Sequence, residues 1–334
     1  PRPHSRPGHH RHSGVFVSLS GRGASLSVND DIPFNRDFPL APGVVDEVVP
    51  GVRRVLCDNP SPFTFTGTVS YIVGRGNVAI IDPGPIDEAH TQALLNAVRG
   101  ETVTHILVTH THNDHSPGVA ALKAATGATV YAEGPHRASR PAYASETRAT
   151  ESGGDRNFRP DVTLKDGDVV EGNGWRLETV STPGHTANHI AFAWQDRHLT
   201  FVGDHVMGWS TSIVAPPDGS VVDYMASLER LASRDEQLYF SGHGPEIPDA
   251  VRFVRFLMRH RKAREASILH RLAKGEADIP TIVRASYIGI DPRLVGAAGY
   301  SVLAHLEDLV ARNVVATDGD PTIDGSYRLV APLA

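Results

Sequence analysis

The chain has 334 residues, 40% hydrophobic and 21% charged, with 32 Lys+Arg against 38 Asp+Glu and a formal net charge of −6. That length holds one large domain or two smaller ones and buries a core unaided by staples. A mean hydropathy of −0.21 without a long apolar run excludes a membrane-spanning protein, a lone Cys57 excludes a disulfide framework or thiolate metal site, and mild acidity argues against nucleic-acid binding through overall charge.

Residues 1–28 differ from the rest. Pro1 to Gly14 hold three prolines, three arginines and four histidines (His4, His9, His10, His12) with almost nothing apolar, which reads as a disordered extension rather than a metal-loading tail. Val15–Leu19 is too short for the core of a secretory signal, so a cytoplasmic enzyme with no membrane partner is expected. From Val44 onward, β-rich runs end in polar clusters: Thr68–Val73, Val78–Ile81, Thr102–Val108, Arg176–Val180, His198–Val202 and Gln237–Phe240. Helical patterns separate them, one at Glu88–Val98 behind an Asp87 cap and one opening at Ser116-Pro117. Alternating strands and helices predict an α/β or mixed layered fold over residues 29–250.

After the Gly242-His243-Gly244-Pro245 turn, helix patterns run over Val251–Leu272, Ile279–Tyr287 and Leu294–Arg312. Two β runs follow, Val314–Thr317 and Tyr327–Val330, joined by the turn-rich Asp318-Gly319-Asp320-Pro321. Three helices and a hairpin outline a winged helix within residues 251–334, a module that serves either nucleic-acid binding or a homodimer contact. The first of these helices carries Arg252, Arg255, Arg259, Arg261, Lys262 and Arg264. It reads either as a solvated face pairing with carboxylates such as Glu265 or as a surface tracking RNA phosphates.

The chemistry concentrates at strand ends. Thr109-His110-Thr111-His112-Asn113-Asp114-His115 lies between the strand Ile106-Leu107-Val108 and the next helix. Three imidazoles and a carboxylate so close together converge on one point only from a loop, and zinc favours such ligands. His185, Asp204, His243 and Asp82 each lie just beyond a strand of their own, usually beside a glycine. Three histidines with a shared aspartate suffice for one metal, and an aspartate with two more histidines for a second. Val206–Ser210 and Ile213–Pro217 read as a loop walling a pocket, with Trp209 as a stacking candidate. Cys57 reads as a buried small residue.

Over residues 42–250 the sequence resembles a metallo-β-lactamase-fold hydrolase, whose hallmark is His-x-His-x-Asp-His followed by single His, Asp and His residues. The resemblance implies a four-layer αββα sandwich with two Zn2+ per chain, iron or manganese being the substitutes. It implies His110, His112 and His185 on the first metal, Asp114, His115 and His243 on the second, and Asp204 bridging. Asp82 matches a structural aspartate behind the ligands. The nucleophile implied is a metal-bridging hydroxide, with Asp114 and Asp204 as the catalytic carboxylates and His189 or His205 as either the proton donor or a packing residue.

Asn59-Pro60-Ser61-Pro62-Phe63-Thr64 leading to Gly67-Thr68 and Tyr71, Pro183-Gly184-His185-Thr186 with His189, and the winged helix are similar to one branch of that family. That branch includes a zinc-dependent endonuclease for single-stranded RNA. The chain departs from it at Val69-Ser70, where the branch usually carries Asn-Thr. The expected substrate is therefore a small-molecule ester or thioester, or single-stranded RNA. The competing readings are a mononuclear iron persulfide dioxygenase of the same fold and a nucleic-acid-binding protein with a degenerate metal site.

Overall fold

The computed structural model describes residues 32–143, 146, 153–275 and 277–332. The His-rich extension expected over residues 1–28 lies outside them. The first sheet holds β1 Val45–Val49, β2 Val52–Leu56, β3 Val69–Arg75, β4 Asn77–Ile81, β5 Thr102–Leu107, β6 Thr129–Ala132 and β7 Val162–Thr163 in chain order. Strands β1 to β4 pair antiparallel and β4 to β7 parallel. Parallel neighbours need crossovers, and helices α1 (Glu88–Ala97) and α2 (Val119–Thr126) supply the first two. The second sheet, in the order β13-β12-β11-β10-β9-β8, holds β8 Val169–Gly172, β9 Trp175–Ser181, β10 Ile190–Trp194, β11 Leu199–Gly203, β12 Leu238–Ser241 and β13 Ile247–Pro248. Helix α3 (Val221–Ala232) crosses between the parallel β11 and β12.

Side-chain alternation along the strands builds the layers. In β3, Val69, Tyr71 and Val73 point into the core between the sheets, whereas Ile72 faces outward with Leu94 of α1 and Leu122 of α2. In β10, Ile190, Phe192 and Trp194 enter the central core, and Ala191 and Ala193 face Tyr224, Leu228 and Leu231 of α3. The product is an αββα sandwich. Asp87 caps α1 as expected, accepting from His90 N at 2.8 Å. Helix α2 begins later than Ser116-Pro117, because Ser116 Oγ donates to Asp155 instead and Gly118 passes tight against the Pro83 carbonyl.

Helix α4 (Ala250–Ala273) belongs to two cores. Phe253, Val254 and Leu257 pack with α3 on the outside of the second sheet, while Ile268 and Leu272 pack with the C-terminal elements. Those elements are α5 (Ile279–Ser286), α6 (Val295–Ala311) and the hairpin β14 Val315–Thr317 with β15 Tyr327–Leu329, a winged helix. Pro292–Ala311 is long and apolar enough by length and composition to cross a membrane, contrary to the sequence-based expectation of no such run. Here it is the winged helix's core helix, burying Val302, Leu303, Leu306 and Leu309.

Candidate metal centre

Strand direction gathers the polar residues on one edge. β9 and β11 are both antiparallel to β10, and β12 is parallel to β11, so β9, β11 and β12 all end on the same side. His185 follows β9, Asp204 directly follows β11, and His243 follows β12. From the first sheet, Asp82 directly follows β4 and the His110–His115 loop follows β5. Loops on a rigid scaffold hold side chains in fixed relation, which is what a multidentate site requires.

Two clusters form. In the first, His112 Nδ1 lies 3.1 Å from His110 Nε2 and 2.9 Å from His185 Nε2. Tetrahedral ligands about 2.0–2.1 Å from zinc stand about 3.3 Å apart, so these nitrogens are spaced as a metal would space them. In the second, His115 Nε2 and His243 Nε2 are 3.4 Å apart, with Asp114 Oδ2 at 3.5 Å from the former and 3.2 Å from the latter. Asp204 faces both clusters: Oδ1 is 3.4 Å from His115, while Oδ2 is 3.2 Å from His243, 3.7 Å from His185 and 4.0 Å from His110. Asp204 Oδ1 is buried and accepts no hydrogen bond, as a donor atom reserved for a cation would be. All seven expected ligands therefore meet, and their donor set fits two divalent metals.

The opposite ring nitrogens are anchored, which fixes tautomer and orientation. His185 Nδ1 donates to Ile213 O at 2.6 Å and His243 Nδ1 to Gly67 O at 3.1 Å. His110 Nδ1 meets Thr109 Oγ1 at 3.0 Å, and His115 Nδ1 meets Asp82 Oδ2 at 3.1 Å. Asp82 also accepts from Thr109 N at 2.8 Å and Thr109 Oγ1 at 2.7 Å. Its oxygens are thus spent on orientation, and its own φ of 51° is a strained conformation held in place by the surrounding bonds.

Without metal the clusters differ in charge. Burial lowers His110, His112 (to about 3) and His185, leaving three neutral imidazoles. In the second cluster burial opposes charge but loses. Asp204 and Asp114 raise His115 well above the histidine range and His243 to about 9, while those imidazoliums hold both carboxyls below the carboxylate range.

Several residues that sequence reading did not assign hold this geometry. Val69 N donates to Gly242 O at 2.8 Å, and Tyr71 OH donates to Ser241 O at 2.8 Å, tying β3 to the turn that carries His243. Asn59 pairs with Thr68 through bonds of 2.8 and 3.0 Å, which accounts for that part of the motif. Ser70, at the departure from the branch pattern, donates to the Asp82 carbonyl and meets His90 Nε2 at 2.8 Å. It supports the Asp82 loop from behind. For Ser70 and Tyr71 the signal available was polar side chains in an otherwise apolar strand.

The clusters open into a cleft of about 720 Å³ whose walls include Phe63, Met207, Ile213, Pro216 and Pro217. The winged helix closes it: Arg293, Gly296, Ala297 and Tyr300 line the same cleft. Trp209 is absent from that wall and stacks on Phe65, with ring centroids 4.9 Å apart. His189 and His205 are buried behind the ligands, their pKa values lowered by burial, and neither lines the cleft. Cys57 is buried and its thiol is pushed up to about 12 by burial, an inert environment. The basic helix is neither of the surfaces expected of it along its whole length. Arg252 and Arg259 lie over Phe256, and Glu265 pairs with Arg312, but Arg261 and Arg264 are buried.

Comparison with known proteins supports the same architecture. The family profile described as metallo-beta-lactamase superfamily matches residues 63–243, and that of the beta-lactamase associated winged helix domain matches residues 279–325. The chain is 30% identical over 236 residues to beta-lactamase-like protein 2 homolog of Caenorhabditis elegans, covering 70% of this chain and 74% of that protein. It is 30% identical over 233 residues to an atrochrysone carboxyl ACP thioesterase of Claviceps purpurea (strain 20.1), covering 69% of this chain and 68% of that protein. A beta-lactamase domain protein from Burkholderia ambifaria has the same fold, with a TM-score of 0.72 at 21% identity over 88% of this chain and 97% of its own. With one profile spanning more than half of its residues and a relative at this identity over most of both chains, this protein belongs to the metallo-beta-lactamase superfamily, in the form that carries a C-terminal winged helix.

Proposed function

We propose that the protein is a dinuclear zinc hydrolase acting on acyl thioesters. The observation that carries this reading is the pair of donor clusters sharing Asp204 at the floor of an apolar-walled cleft. His110, His112 and His185 would hold the first metal, Asp114, His115 and His243 the second, and Asp204 both. When bound, the metals would supply an activated water near neutral pH and polarise the scissile carbonyl. Asp114, at the edge of the second cluster and part of the cleft wall, would orient a nucleophile. Phe63, Met207, Ile213 and the two prolines exclude water from an acyl chain, and Tyr300 and Arg293 bound the opposite side.

The choice of thioester follows from the proton donors. Among the described residues, His112 and His185 are the histidines lining the cleft, and both belong to the first donor cluster. Burial raises the Tyr300 hydroxyl, which makes it a poor acid. A thiolate, whose conjugate acid has a pKa of about 8.5, leaves without a strong acid, whereas an alkoxide does not. Relatives bearing the thioesterase name support the same choice. Single-stranded RNA is less well supported, because Arg261 and Arg264 are withdrawn from the basic surface. The complete second donor set weighs against a single-iron oxygenase.

The test pairs elemental analysis with a panel of ester, thioester and phosphodiester substrates. Two zincs per chain and turnover of thioesters, lost by at least about a hundredfold in Asp204→Ala, are expected. One iron per chain, or cleavage of RNA alone, would overturn the reading.

A further inference from the structure

Beside the metal cleft lies a second cavity of about 340 Å³, and the two share Phe63, Met207, Ile213 and Ala297 as a common wall. Arg36, Arg261 and Arg264 all line it. Arg261 and Arg264 are 5% and 3% exposed, yet their partners are uncharged. Arg261 donates to the Ser212 carbonyl and lies 4.9 Å from the Tyr224 ring. Arg264 Nη1 donates to Ser286 O at 3.1 Å and its guanidinium lies 4.0 Å from the Tyr287 ring, while its buried Nε has no acceptor. Among the described residues, no carboxylate pairs with either guanidinium. Asp291, which also lines the cavity, is already held by Arg293 at 2.7 Å.

Carbonyl dipoles and ring faces solvate a guanidinium only in part. A buried cation ordinarily acquires a counter-charge or loses its proton, and arginine does not lose its proton at physiological pH. Two such groups facing one cavity beside a reaction cleft leave a place for an anion. Their planar, forked donors match phosphate as they do carboxylate, and a phosphate has the charge and the oxygens to meet two guanidiniums at once.

We propose that this cavity binds a phosphate carried by the substrate, so that the phosphorylated arm of an acyl thioester is held at Arg264 and Arg261 while its acyl end occupies the metal cleft. This rests on the thioester reading of the cleft. A compact cavity of this size suits one phosphate and the atoms beside it. A nucleic-acid strand instead follows a groove with repeated backbone contacts.

The test is calorimetric titration of the metal-loaded full chain with 4′-phosphopantetheine and with pantetheine, which differ only in the phosphate. The phosphorylated compound is expected to bind at least about tenfold tighter, as charge-assisted hydrogen bonds of ordinary strength would give. In Arg264→Gln that ratio should fall to within about twofold. Arg36→Gln, at the exposed rim, should reduce it in part and serves if Arg264→Gln fails to fold. Equal binding of the two compounds, or a preference that survives both substitutions, overturns the proposal, the second outcome placing the phosphate on the metals. Tighter binding of a short single-stranded RNA that Arg264→Gln abolishes would overturn the substrate class. Phosphate-dependent binding without thioester turnover would leave the cavity assigned and remove the thioesterase reading instead.

Discussion

At the scale of single residues, the two donor clusters present metals with different proton inventories. His112 is held at about 3 by burial and its histidine neighbours, so above that pH a metal entering the first cluster displaces no proton from it. His243 is raised to about 9 by Asp204 and Asp114 against the effect of burial, so below pH 9 a metal entering the second cluster must expel its proton. The sign follows: second-site affinity weakens as pH falls from 9, by about tenfold per pH unit for each proton displaced, while the first site, whose three histidines are all lowered, changes less over the same range. Zinc titration of the metal-free protein at several pH values, with proton release followed by a buffer dye, measures both slopes. Asp82 is not counted among the seven ligands, yet it fixes the His115 tautomer. Asp82→Asn is expected to weaken the second metal by about 10–100-fold and the first, which it reaches only through Thr109, by less, and competition against a chelator reads it.

Elements matter through how closely their ends approach. A Cβ on Gly242 would stand 2.4 Å from Asp204 Oδ1 and 2.6 Å from His115 Cε1. Gly242→Ala therefore must displace either the Asp204 carboxylate or the His115 ring. The expected outcome is a chain that still folds, as its melting curve will show, but holds about one metal instead of two. The same scale explains which elements were legible. The predicted strand Arg176–Val180 and helix Ile279–Tyr287 recur as Trp175–Ser181 and Ile279–Ser286, because turn residues and period bracket them. Strand Ile190–Trp194 was not predicted, since burial on both faces removes the alternation that identifies a strand. Val52–Leu56 was hidden by Arg53 and Arg54, whose charges are met by Glu101, Asp46 and Glu246 from elsewhere in the fold. Nothing local announces that such arginines are inside.

For the whole molecule, the decisive contact is between the sandwich and the winged helix. Arg140, from the sandwich, holds both Glu146 and Glu307 of α6, and α6 in turn sets Tyr300 and Ala297 against the metal cleft. The C-terminal module thus forms part of the cleft wall. Tyr300→Ala is expected to raise KM for a long-chain acyl thioester by roughly tenfold and for an acetyl thioester by much less, with metal content unchanged. Steady-state kinetics on the two substrates, beside elemental analysis, checks this.

The residues that converge in the donor clusters were readable from the chain alone because a metal site demands particular residue types at strand ends, and strand ends leave a local mark. The winged-helix outline was readable for the same reason, through helix period and a turn-rich hairpin. Which surfaces meet left no such mark. That α6 walls the cleft, that Arg261 and Arg264 of a seemingly solvated helix are buried at a cavity, and that Trp209 stacks on Phe65 outside the wall of the cleft depend on contacts between segments far apart in sequence. Local sequence specifies identity and period, whereas burial is settled only when the distant partners pack.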